Sequence, residues 1–456
     1  MRRWPWLLAV LAIVPIALIR AGMMAESDTF WQIRTGLLIL ETGRIPTADG
    51  FSWTAAGEPW VLNSWGFNVL IAAFYKGAGL PGVALLCAGL ACVALALVLR
   101  LAQQLGAAPA VACAFVVLAS PLLIGWFAAR PQLIDYIAVP LLALLLRRFG
   151  QRPTSGRVAG VGVLFFVWTN LHAASLIGGA IIAAAGLLAL IRGTTRKAWP
   201  WFLALGVVAL LGSMANPYGL GLFAQSMSVR DSSAAVILEW QPLALGDPAQ
   251  AVTFFAGLLA LLISLKQREN AMTAAIAVAA ASSIAASRML PLLLLLSLPV
   301  LSGAVSRLRA LQRYAASRQR MLTVGALLVV AGLSVSAVPS VTHLGEPDPS
   351  QYSRAVVGSI PANCRVFNSY LLGGFVLLER PDVQVSIDSR NDLYGPERVL
   401  RAQRVIQGTE DAHEGLTGAE CVLVPPSTPL AQGLERSPEW KEIAADRTAR
   451  LFVRTG

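Results

Sequence analysis

Long apolar runs separated by short polar breaks dominate this chain. A bilayer-spanning helix needs about 20 predominantly apolar residues. Runs of that kind predict eleven transmembrane helices, near 4–20, 80–100, 109–128, 131–147, 158–170, 173–191, 198–213, 250–266, 271–287, 289–305 and 321–338. A further apolar stretch, 64–76, is short and carries Asn68 and Tyr75 just after Asn63 and Ser64. It reads as an interfacial helix that does not cross. The first run follows Met1-Arg2-Arg3, as a signal peptide would. It shows no small-x-small cleavage site leading into a soluble domain, and many apolar runs follow, so it reads as a signal anchor.

Beyond residue 340 the pattern changes. Cys364–Phe367, Val383–Ile387 and Cys421–Val424 are short strand-like runs, with helix-like stretches such as 395–407 between them. Alternating strands and helices predict a compact layered α/β domain. The expected organisation is a helical membrane domain over 1–340, with large loops at 21–79 and 214–249, followed by a small α/β domain over 350–456.

Composition agrees with this reading. Of 456 residues 56% are hydrophobic and 13% charged, against about 25% charged in soluble proteins. The net charge of +11 does not point to nucleic acid, because the basic residues gather in short loops between apolar runs. One set of loops carries Arg2, Arg3, Arg100, Arg147, Arg148, Arg152, Arg157, Arg192, Arg196, Lys197, Lys266, Arg268, Arg307, Arg309, Arg313, Arg318 and Arg320. The opposite junctions carry little beyond Arg130 and Arg288. The positive-inside rule then puts the amino terminus in the cytoplasm and the carboxyl terminus, with both large loops, outside. Had 64–76 crossed, the basic cluster at 147–157 would face outward. Cys87, Cys92 and Cys113 lie in apolar runs and read as inert packing residues. Cys364 and Cys421 each open a strand-like run; they could pair if those strands are neighbours in register, but the expectation is two buried, unpaired cysteines. The five cysteines show no metal-site spacing.

The candidate chemistry lies at the outer ends of the runs. Glu26 and Asp28 stand two apart just after the first run, a spacing that suits hard-cation coordination or general-base work. The same acids equally suit a polar loop, with Asp28 as N-cap of the amphipathic helix that follows. Arg130, before Pro131, and Arg288 sit where a charge is costly in lipid. They read as phosphate ligands or as side chains snorkelling to headgroups. His172, with Asn170 nearby, reads as a pocket residue or as a hydrogen-bonded interface histidine. Asn216, Tyr218, Glu239 and Trp240 form a second polar cluster, in which Trp240 would stack on a sugar or belong to an aromatic belt. In the tail, Asp388-Ser389-Arg390-Asn391-Asp392-Leu393-Tyr394-Gly395 follows a strand and precedes a helix. It fits a ligand site, and fits better a strand-to-helix turn capped by Asp392.

An acidic pair at this place resembles the C-type (GT-C) polytopic membrane glycosyltransferases, with Glu26-Ser27-Asp28 in the manner of their modified DxD motif. The similarity continues through Ile33-Arg34-Thr35-Gly36, Gly43-Arg44-Ile45-Pro46, Phe51-Ser52-Trp53-Thr54, Gly57-Glu58-Pro59-Trp60 and Trp65. These resemble loops of bacterial members near the protein-mannosyltransferase and aminoarabinose-transferase branch. The double proline that many members carry on the second juxtamembrane helix is replaced here by Asn63-Ser64-Trp65. The resemblance implies an enzyme of the bacterial plasma membrane and cell envelope. It would move a sugar from a polyprenyl-phosphate carrier to a lipid, glycan or protein acceptor. Asp28 and Glu26 would be the catalytic pair or would hold a divalent cation, Mg or Mn, with no other cofactor. Arg288, Arg130 and His172 would bind the donor phosphate, and Asn170, Tyr218, Glu239 and Trp240 the substrate. Glu26, Asp28, Arg130, His172 and Arg288 would share one cavity. The alternatives are a non-catalytic polytopic membrane protein and a transporter of lipid-linked sugar.

Overall fold

The computed structural model describes residues 4–193, 199–234, 237–309 and 318–455. Of the basic residues counted above, Arg2, Arg3, Arg196, Lys197 and Arg313 lie outside these. The helices along the first three quarters of the chain are α1 (Trp4–Arg20), α2 (Ser27–Thr42), α3 (Trp65–Gln104), α4 (Pro109–Leu123), α5 (Gln132–Gln151), α6 (Ser155–Leu171), α7 (Ser175–Ile191), α8 (Trp199–Met214), α9 (Gly221–Ala234), α10 (Pro248–Lys266), α11 (Asn270–Ala285), α12 (Leu290–Ser306) and α13 (Gln319–Thr342). Each expected apolar run is helical. Among the described residues five helices are long and apolar enough to cross a membrane, and the other apolar helices run 10–17 residues. The interfacial stretch and the run after it form one helix, α3, broken at Ala78 (φ −147°) and Gly79 (φ 62°). Pro81 follows the break, where a missing N–H is tolerated at the start of a helical turn.

By contacts the chain divides into two compact units. Unit one holds Met1–Gly22, Ala84–Phe223 and Glu239–Leu344, and unit two holds Met23–Val83, Ala224–Leu238 and Gly345–Gly456.

Unit one is a helix bundle. Its centre is α12: 78% of the apolar window Ser287–Ser306 is buried, against 6% for Val324–Thr342 of α13. The leucine run 290–298 explains this, since it is apolar on every side. Small residues let neighbours close up, as is usual where lipid offers no hydrophobic drive between helices. A Cβ on Gly212 of α8 would lie 2.6 Å from the Gly162 carbonyl of α6.

Unit two is built on a five-stranded sheet. Its strands are β1 (Arg365–Asn368), β2 (Gln384–Val385), β3 (Cys421–Val424), β4 (Trp440–Ala445) and β5 (Arg450–Arg454), in the order β2-β1-β3-β5-β4. The first three run parallel, joined by α14 (Tyr370–Glu379) and α15 (Asn391–Ile406), while β5 and β4 close the edge antiparallel. Phe367, Val422, Val424, Leu430, Trp440 and Phe452 pack its core. The large first loop belongs to this unit. Val385 N–H donates to the Phe51 carbonyl at 3.2 Å and Trp53 N–H to the Val385 carbonyl at 3.1 Å, so the loop extends the sheet beside β2.

The expectation of unpaired tail cysteines is overturned: Cys364 and Cys421 form a disulfide. Parallel pairing sets Val366 opposite Cys421 and brings the two cysteine Cα atoms to 6.3 Å. That lies within the reach of about 7 Å that a bridge allows.

Candidate functional site

In unit one, local structure gathers four of the expected residues. Arg130 stands in the turn before α5, of which Pro131 is the N-cap residue. Arg288 stands in the single 3₁₀ turn Ser287–Met289 that opens α12. Ser287 staples this turn to the turn Leu238–Trp240. Its N–H donates to the Gln241 carbonyl at 2.9 Å and its hydroxyl to the Glu239 carbonyl at 3.2 Å. The staple aims two side chains. Glu239 receives Arg130 Nη1 on both carboxylate oxygens at 3.0 Å. Trp240 lies under Arg288, whose Cζ is 4.0 Å from a ring centroid.

The two arginines differ in their partners. Arg288 is only 9% exposed, yet among the described residues it makes no ion pair and its Nε has no hydrogen-bond partner. A buried charge is normally paired. Glu239 and Asp135 act on Arg288 through space, but Glu239 is bonded to Arg130 and Asp135 is bonded elsewhere. Both arginines lie at helix N-termini, where the macrodipole and free N–H groups add to an anion-favouring field.

His172 terminates α6. Its Nδ1 meets the Asp135 carboxylate at 2.9 Å, and Trp168 Nε1 donates to the same carboxylate at 2.7 Å. Engaging Nδ1 fixes the ring and presents Nε2. Asp135, 4% exposed, and the neighbouring Tyr136, on which Asp135, Arg288, Glu239 and Arg130 all act electrostatically, were missed by the sequence reading. The available signal was an acid inside an apolar run. Asn170 spends its amide on the Phe166 and Ala215 carbonyls, both at 2.8 Å. Tyr218 N–H caps a turn on Asn216 Oδ1 at 2.8 Å.

Glu26 and Asp28 belong to unit two. Glu26, in extended backbone, is the N-cap residue of α2 without a side-chain cap bond. Asp28 sits inside the first turn, so the N-cap expectation for it is corrected; there its charge still favours the helix dipole. Asp28 Oδ1 accepts from Trp31 Nε1 at 3.3 Å, and the same N–H reaches Ser389 Oγ at 3.1 Å.

The tail motif is organised by Arg390, whose side chain is fully buried. It donates to Asp388 through Nε and Nη2, to Asp49 through Nη1 at 2.6 Å and to the Tyr394 hydroxyl at 3.0 Å. Trp60 covers it at 4.7 Å and Phe51 at 5.3 Å. Asp49 is held in turn by Phe51 N–H, Ser52 N–H and the Ser52 hydroxyl. Arg390, not Asp392, occupies the N-cap position of α15. Asp392 lies two residues on, inside the first turn, and accepts from Trp60 Nε1 at 3.3 Å. Burial pushes its carboxyl up to about 6, with the Arg390 charge acting the other way.

Among the described residues no three His, Cys, Asp or Glu side chains gather as a metal cage. Glu26 and Asp28 offer two carboxylates. That donor set suits a cation shared with a substrate phosphate, as Mg²⁺ is commonly held.

The fold is similar to that of membrane glycosyltransferases of known structure. The Archaeoglobus fulgidus oligosaccharyltransferase superimposes with a TM-score of 0.63 at 12% identity, over 93% of this chain and 70% of that one. AglB of the same organism, in complex with an inhibitory peptide and a dolichol-phosphate, gives 0.63 at 12% identity over 99% and 74%. ArnT from Cupriavidus metallidurans, bound to undecaprenyl phosphate, gives 0.56 at 14% identity over 98% and 97%. At these identities the likeness is one of fold. The sequence matches no family model and no curated protein.

Proposed function

We propose that this integral membrane protein is a glycosyltransferase that takes a sugar from a polyprenyl-phosphate carrier and transfers it to a lipid, glycan or protein acceptor. In this reading the chain crosses the bilayer eleven times, with its amino terminus in the cytoplasm and the reaction on the outer face. The observation that carries the proposal is Arg288: a buried guanidinium held over Trp240 without an ion-pair partner awaits an anion. A phosphate is the anion its fork fits best.

Asp28 takes the proton from the acceptor hydroxyl as that oxygen attacks the anomeric carbon. The bond between that carbon and the phosphate oxygen breaks, and its electron pair stays on the phosphate. Arg288, Arg130 and the Asp135-oriented His172 receive the charge that develops there. Glu26 supports the Asp28 carboxylate. If the reaction uses a divalent cation, Glu26 and Asp28 would hold it, and it would neutralise charge on the departing phosphate. Asn170 and Tyr218 shape backbone near the phosphate ligands, and Glu239 and Trp240 hold the two arginines.

The test is release of undecaprenyl phosphate from a panel of undecaprenyl-phosphate-linked monosaccharides by purified protein in nanodiscs supplied with lipid, glycan and peptide acceptors. At least one donor should turn over, and Asp28→Asn should abolish turnover while the protein stays folded and still binds undecaprenyl phosphate. Full turnover by Asp28→Asn would remove Asp28 from this role. Binding without turnover of any donor would favour a transporter of lipid-linked sugar.

A further inference from the structure

The tail motif and the acidic pair are joined by one indole. Trp31 Nε1 is shared between Asp28 Oδ1 at 3.3 Å and Ser389 Oγ at 3.1 Å, and Trp31 is 7% exposed. Ser389 is not free to wander. The residue after it, Arg390, is locked between Asp388 and Asp49. Asn391 N–H donates to the Ser389 carbonyl at 3.0 Å, and Asn391 Oδ1 accepts from the Tyr370 hydroxyl at 2.9 Å. Tyr370 begins α14, and α14 is itself pressed onto the start of α2. A Cβ on Gly374 would lie 2.5 Å from the Ser27 carbonyl, and one on Gly373 would lie 2.0 Å from the Ile387 carbonyl. Two adjacent glycines thus let one helix touch the backbone beside Asp28 on one side and the strand leading to Ser389 on the other.

We infer that Ser389 and Trp31 are positioning residues for the Asp28 carboxylate, so that the tail sets the orientation of the base. The inference rests on the assignment of Asp28 as base. A hydrogen bond to one carboxylate oxygen fixes the plane of the group, and proton transfer depends steeply on that geometry. The locked 388–391 turn supplies the rigid acceptor that keeps the indole N–H from following Asp28.

The experiment uses the same nanodisc assay and compares Trp31→Phe, Ser389→Ala and Ser389→Thr with wild type, measuring kcat and KM separately. Trp31→Phe should lower kcat by roughly tenfold with KM within about twofold. Ser389→Ala should lower kcat about threefold, and Ser389→Thr, which keeps the hydroxyl, should restore it. Loss of packing alone would not be rescued by threonine. The serine pair decides the matter if Trp31→Phe does not fold. An unchanged kcat in Ser389→Ala, beside an inactive Asp28→Asn, overturns the positioning role and leaves Asp28 as base. An inactive wild type overturns both.

Discussion

Each unit buries an arginine, and the two are treated in opposite ways. Arg390 of unit two has carboxylates on two sides, a tyrosine hydroxyl on a third and aromatic rings above. Arg288 of unit one has an aromatic ring and no ion-pair partner among the described residues. Desolvating a guanidinium costs several kcal/mol in either place. In unit two that cost is offset within the fold, which marks Arg390 as a structural tie. In unit one no ion pair among the described residues offsets it, and on the proposed function a bound phosphate does so. The number of satisfied donors, rather than burial, separates the two roles.

The largest effect is expected at Arg390. Replacing it with methionine leaves Asp388 and Asp49 buried with no counter-charge. The expected loss is about 3–5 kcal/mol, read as a large drop in the thermal midpoint of the purified protein. A midpoint within a degree or two of wild type would show that the tie is not structural.

The next effect sharpens the picture of the carboxylates around Arg390. Asp388 and Asp49 are bonded to it; Asp392 is half-buried nearby and its carboxyl rises from 3.8 to about 6. In the unfolded chain it releases its proton near the lower value. Between the two, the folded state binds more protons than the unfolded one. Stability is therefore lost as pH rises through that window and is level above it. At about 1.36 kcal/mol per unit the loss is on the order of 2–3 kcal/mol. The stability difference between Asp392→Asn and wild type, followed from pH 4 to 7, should grow in favour of the variant; a flat difference would show Asp392 to be ionised throughout.

The smallest effect on the fold is expected at Arg288. Replacing it with leucine removes a charge that has no ion-pair partner among the described residues, so the thermal midpoint should hold or rise slightly. Binding of undecaprenyl phosphate should weaken at least about tenfold, roughly 1.4 kcal/mol. A variant whose midpoint falls while its binding is unchanged would reverse the contrast drawn with Arg390.

Much of this was legible in the chain itself. The apolar runs located the helices because a fully apolar run of that length admits few other structures. The break expected between 64–76 and 80–100 lies at Ala78 and Gly79. The loop motifs around Glu26 and Asp28 pointed to the right fold. What stayed hidden was pairing over distance. Asp49 meets Arg390 across 341 positions, and no local spacing announces it. The disulfide was misjudged because apolar surroundings fit a buried free cysteine as well as a bridged one, and only the parallel register of β1 and β3 decides. The strand β4 was overlooked because it is exposed along most of its length and carries no apolar alternation. Asp135 was passed over as a single acid without a partner in sequence. The roles of Trp31 and Ser389 follow from a contact between residues 358 apart.

The first loop shares its sheet with the end of the chain, and this has a consequence for how the protein is made. Residues 84–344, of which only 224–238 belong to the same unit, lie between the first loop and the tail. At about 5–20 residues per second, a ribosome needs roughly 15–50 s to deliver them. During that interval Trp31 has no Ser389 to meet, and Asp49 has no arginine. The loop emerges early, yet its acidic pair gains its framework only after the last strands are synthesised. The contacts that hold Trp31 and Asp49 in the finished protein therefore form only once the tail has been made.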